Sequence, residues 1–109
     1  MNETLPQDSD GDALRGLIAN GSDLTKEMDI DFAVSVADRK TGLAFSIAVE
    51  PLGFSTSVSK DDATNEWTCY CSRSMVPSYE AIIETQKILE EAGKPYNAIP
   101  DGWGSFGNA

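Results

Sequence analysis

The chain has 109 residues, enough for one domain with one packed core and no second. Its 18 acidic and 8 basic side chains give a net charge of −10, which repels an RNA or DNA backbone and favours encounter with a basic protein surface, through steering that weakens as salt rises. Histidine is absent, so catalytic triads and metal sites that depend on imidazole are excluded.

Residues 1–11 are polar and acidic and contain Pro6 and Gly11, so they are expected to form a flexible arm ahead of a single domain over residues 12–109. The stretch Met1 to Pro6 has neither the basic region nor the apolar run of a leader, and no later stretch approaches the roughly 20 apolar residues of a membrane span. A cytoplasmic location is expected. The run Asp8-Ser9-Asp10-Gly11-Asp12 has the look of a calcium loop, but counting from Asp8 the obligatory glycine is Ala13 and the bidentate glutamate is Ala19.

From Asp12 onward, Leu14, Leu17, Ile18 and Gly21 fall at helical spacing, with Asp12 as the cap and Asn20-Gly21 as the stop. Ile30, Phe32, Val34 and Val36 then alternate with polar or small residues, which predicts a strand over residues 29–36. The segment 39–51 reads two ways. Leu43, Phe45, Ile47 and Val49 alternate as a strand would, whereas Leu43, Ala44, Ile47 and Ala48 mark one face of a helix that Asp38 can cap and Pro51-Leu52-Gly53 can end.

Phe54 to Ser59 and Glu66 to Met75 read as two strands joined by a polar turn, and so as a hairpin. Cys69 and Cys71 are the only cysteines; two apart on a strand, they point the same way without the geometry of an ordinary disulfide, which fits a reducing compartment. Two thiols without further cysteine or histidine cannot close a tetrahedral zinc site, so they are expected to be small, half-buried strand residues. Pro77 and Ser78 start a helix whose stripe is Tyr79, Ile82, Ile83, Gln86 and Leu89, with Glu80 near its positive end and Gly93, Lys94 and Pro95 at its stop. The pairs Glu80 with Glu84 and Glu90 with Glu91 read as its solvated face rather than as an acid–base pair.

The last dozen residues crowd Tyr96, Pro100, Asp101, Gly102, Trp103, Gly104, Phe106 and Gly107 into a segment with little strand or helix character. Either it folds back so that Trp103 closes the core, or it presents Trp103 and Phe106 as anchors for a partner. Its glycines lack the helix start and the Lys-Ser/Thr pair of a phosphate loop. Arg73, with Met75 beside Pro77 and Tyr79, could pair with a partner carboxylate or brace Asp101. No nucleophile–base pair, cofactor motif or metal-ligand set is visible, so the chain is not expected to be an enzyme and no cofactor is implied.

Asp12-Ala13-Leu14, Asn20-Gly21-Ser22-Asp23, Ile30-Asp31-Phe32, Arg73-Ser74-Met75-Val76-Pro77-Ser78-Tyr79 and Asp101-Gly102-Trp103-Gly104-Ser105-Phe106, in that order, resemble the regulator of ribonuclease activity B family, the ribonuclease E inhibitor proteins, over about residues 12–108. The resemblance implies a ferredoxin-like α+β domain: an antiparallel sheet with helices on one face, preceded by a short N-terminal helix, and with residues 39–51 helical. It also implies a non-catalytic regulator that binds the scaffold region of ribonuclease E and changes which transcripts are degraded; the net charge adds the expectation of no direct nucleic-acid contact, and a monomer or weak oligomer is expected. The better-known members carry a long acidic tail after the tryptophan motif; here the sequence stops at Ala109, and the tail's part would be lost or fall to the acidic arm. The expected partner-binding residues are Asp101, Gly102, Trp103, Gly104 and Phe106, supported by Arg73 and Tyr79. The competing reading is a general protein-binding adaptor or immunity-like inhibitor with a different target.

Overall fold

Two-residue alternation sorts the strands of this chain into a buried face and an open one. The structure, a computed structural model, describes residues 5–108. Strands β1 (Met28–Val36), β2 (Ser55–Lys60), β3 (Trp67–Met75) and β4 (Ile99–Gly104) form one antiparallel sheet in the order β2-β3-β1-β4. Met28, Ile30, Phe32, Val34 and Val36 of β1 lie on one face and are all buried; in register, Cys71 stands opposite Phe32 and Cys69 opposite Val34. Helices α1 (Ser9–Ala19), α2 (Arg39–Val49) and α3 (Tyr79–Gly93) complete this core with Leu14, Leu17, Phe45, Val49, Ile82 and Leu89. The element order β1-α2-β2-β3-α3-β4, with α1 added in front, is the ferredoxin-like arrangement.

Each helix starts on a side-chain cap. Asp8, Asp38 and Ser78 accept from the backbone N–H of Gly11 at 2.8 Å, Thr41 at 2.7 Å and Ala81 at 3.1 Å. The first of these corrects the expected start of α1, which is capped by Asp8 and not by Asp12. Residues 9–11 of the expected arm are therefore helical, and Leu5 packs against the core; residues 1–4 lie outside the described residues. Arg15 adds to the early start by donating to the carbonyls of Leu5 at 3.1 Å and Pro6 at 3.2 Å.

The ambiguous segment is helical, running through α2 into a 3-10 turn over Glu50–Leu52. In this form Phe45 and Val49, one turn apart, enter the core, while Leu43 and Ile47, shared by the strand-like pattern and the expected helical face, stay 39% and 69% exposed, so the helix buries a different face from the one its sequence pattern marked. Gly42 explains how a weak helix former fits. A Cβ there would stand 2.9 Å from Val58 Cγ1 and 3.1 Å from Val36 Cγ2, so the bare backbone is what lets α2 lie close on the sheet.

The C-terminal segment differs from its expected irregular character: Ile99–Gly104 is an edge strand. Phe32 pairs with Trp103 but Val34 pairs with Pro100, so the register slips between them and Asp101-Gly102 bulges, with Gly102 at φ 118°. Proline and glycine depress the strand signal while suiting an edge with a bulge.

Gly42→Val separates packing from propensity. Helix propensity alone predicts a small gain, whereas the contacts with Val36 and Val58 predict a loss of about 1–3 kcal/mol. Urea unfolding is expected to show the loss.

Candidate functional site

Trp103 sits opposite Phe32 on the helix-covered side of the sheet, half-buried against the core. Its Nε1–H donates to Asp10 Oδ1 at 2.8 Å, and Gln86 Nε2 donates to the same oxygen at 3.2 Å. One carboxylate thus joins β4, α1 and α3. Two residues earlier, Asp8 Oδ2 accepts from the Tyr79 hydroxyl at 2.5 Å. That bond, with the Gly11 N–H, holds the Asp8 carboxyl below its ordinary 3.8, and it raises the Tyr79 hydroxyl above its ordinary 10.0. Trp103 and Tyr79 therefore grip the start of α1 from two sides.

The opposite face of the sheet carries no helix. Its strand positions include Asp29, Asp31, Tyr70, Ser72 and Asp101, and none of them is lysine or arginine. A shallow groove of about 460 Å³ lies there, walled by Asp31, Tyr70, Asp101, Trp103 and Phe106, with the backbone of Gly102 and Gly104 between. Asp31 Oδ1 accepts from Ser72 Oγ at 2.5 Å, which fixes that carboxylate on the groove floor.

Phe106 is fully exposed, yet the backbone around it is braced. Ser105 Oγ donates to the Asp29 carbonyl at 2.6 Å and accepts from the Gly107 N–H at 2.9 Å. Asn108 Oδ1 accepts from the Asp23 N–H, and its Nδ2 donates to the Asp23 carbonyl, both at 2.9 Å. An apolar ring is held in water on a tied loop, where burial by a partner would be favourable by about 1.5–3 kcal/mol.

Five of the seven expected residues, Asp101, Gly102, Trp103, Gly104 and Phe106, meet at the groove. Arg73 and Tyr79 do not. Arg73 lies on the helix-covered face with its guanidinium 4.9 Å from the centre of the Phe54 ring, a cation–π contact in place of the expected brace to Asp101. Tyr79 is engaged with Asp8. Asp31 and Tyr70 are groove residues that the motif reading missed, although strand parity finds Tyr70: if Cys69 and Cys71 face inward, the residue between them faces out.

Among the described residues no group of three or more potential ligands could hold a metal ion. Cys69 and Cys71 are fully buried with their sulfurs 3.9 Å apart, and the hydrogen bond to Cys69 together with burial pushes the Cys71 thiol far up, so it stays protonated. Among the described residues no helix is long and apolar enough to cross a membrane.

The family described as regulator of ribonuclease activity B matches residues 7–105, nearly the whole chain. No curated protein matches the sequence.

Two measurements check the site. Trp103→Ala is expected to cost about 3 kcal/mol and Phe106→Ala no more than about 0.5 kcal/mol in denaturant unfolding, because one ring is packed and the other is not. The Asp8–Tyr79 contact should act over a bounded pH range. A lowered carboxyl contributes stability above its ordinary 3.8 that is lost as pH falls through its folded value, and a raised hydroxyl contributes stability below its ordinary 10.0 that is lost as pH rises through its folded value. Tyr79→Phe should therefore lower the melting temperature at neutral pH and converge with the wild type at both extremes.

Proposed function

The chain belongs to the regulator of ribonuclease activity B family, and on that premise we propose that it is a non-catalytic protein that binds the scaffold region of ribonuclease E and changes which RNAs the enzyme degrades. A regulatory role toward ribonuclease activity comes from the family itself, and the match over residues 7–105 is the observation that carries the reading. The scaffold target follows from the resemblance in the sequence and from the net charge of −10, which suits a basic, RNA-binding stretch of protein. Occupying such a stretch removes it from RNA and from other partners of the enzyme. The groove beside Phe106, with Asp101 and Trp103 in its wall, is the contact surface in this proposal, and contact takes place in the cytoplasm.

Cleavage of a structured transcript by full-length ribonuclease E and by its isolated catalytic half, each with and without this protein, tests the proposal. Slower cleavage by the full-length enzyme alone, relieved as salt rises, is the expected result. Unchanged cleavage by both enzymes, with the protein folded, would mean that it serves a different target.

A further inference from the structure

We propose that the open sheet face is a docking surface for an extended, arginine-bearing segment of a partner protein; the inference rests on the regulatory reading above and assigns it a surface and a ligand chemistry. Two neighbouring hollows, each about 460 Å³, share Asp101 in their lining, one on this face and one at the sheet end where β1 stops and β3 starts. The first contains Asp31, Tyr70 and Phe106, and the second contains Glu66, Ile99 and Trp67. Together they present carboxylates at intervals, with apolar and aromatic surface between, and neither is lined by a lysine or arginine.

Charge complementarity selects the occupant. Among the described residues the ion pairs are Arg15 with Asp12 and Lys94 with Glu91, both on helices or their ends and away from this face. Asp29 and Asp31 face serine or glycine in the sheet register and Asp101 lies in the bulge, so a cation that pairs with these carboxylates comes from a partner. RNA, which needs cations from the protein, is disfavoured on this surface.

Arginine fits better than lysine for a geometric reason. A guanidinium is planar, so it can lie on the exposed rings of Tyr70 or Phe106 and still present paired N–H groups to Asp31 or Asp101. An ammonium supplies the charge without the plane. Adjacent hollows sharing one wall suit an extended backbone, whose side chains on one side recur at about 7 Å. The tied loop around Phe106 keeps that ring in place before binding, so little order is lost when it is covered.

Binding of a fluorescent peptide of about ten residues, alternating arginine and serine, tests the surface against charge alone. Asp31→Asn with Asp101→Asn should weaken binding about tenfold, and Phe106→Ala should do the same without changing the fold. Glu84→Gln with Glu90→Gln removes the same charge from the exposed side of α3 and should leave the affinity within about twofold. A lysine version of the peptide should bind several-fold less tightly. Equal losses from the two charge pairs, equal affinity for the arginine and lysine peptides, or no binding would each overturn the surface.

The same variants in the ribonuclease E assay separate this inference from the proposed partner. Face variants that still regulate full-length ribonuclease E as the wild type does would overturn the surface and leave the partner standing. Face-dependent peptide binding, with no effect of the wild type on ribonuclease E, would support the surface and overturn that partner.

Discussion

Phe32 stands where the sheet is joined: Cys71 of β3 is opposite it on one side, Trp103 of β4 on the other, and the Phe54 ring meets it edge-on at 6.5 Å. Burying that position requires cover on one face only, which α2 and α3 provide, with α1 closing the end beside Trp103. The chain has no further α-helix among the described residues for the other face. An uncovered sheet face is therefore a direct consequence of how this core is closed, and its residues are mostly small, polar or acidic, with Tyr70 and Ile99 as exposed apolar exceptions.

The acidic residues divide by what they do. Asp8 and Asp38 are spent on helix caps, Asp10 on Trp103 and Gln86, and Asp23 accepts from the N–H and hydroxyl of Thr25. The carboxylates of Asp29 and Asp101 accept no hydrogen bond among the described residues and lie on the open face. The net charge is thus partly a structural device and partly a surface property. Only the second part is free to pair directly with another molecule, whereas every carboxylate adds to the long-range attraction.

What could be read from the sequence followed from how local each signal was. β1 and α3 were legible because pattern, cap and stop agree within each segment, as Ser78 and Gly93 do for α3. Residues 39–51 were not, since Leu43 and Ile47 satisfy a strand pattern as well as a helical one, and the choice rests on tertiary room for Phe45, Val49 and the close approach at Gly42. The start of α1 was hidden because Asp8 and Asp12 are both competent caps, and the first is favoured by the hydroxyl of Tyr79, distant in sequence, on Asp8 and by Arg15 on the carbonyls of Leu5 and Pro6. β4 was masked by proline and glycines that weaken a strand yet suit a bulged edge. At the site, nearness in sequence misled: Arg73 and Tyr79 stand close to a motif boundary but on the covered side, whereas Tyr70 needed only the alternation beside two buried cysteines.

Those two cysteines give the molecule an internal clock. They sit on an interior strand, with neighbours paired on both edges, and their sulfurs are sealed from solvent. A thiol reagent in water meets neither until β3 separates from the core. The rate at which the native protein is alkylated therefore reports how often the sheet opens, without any introduced probe and at a position away from the exposed face.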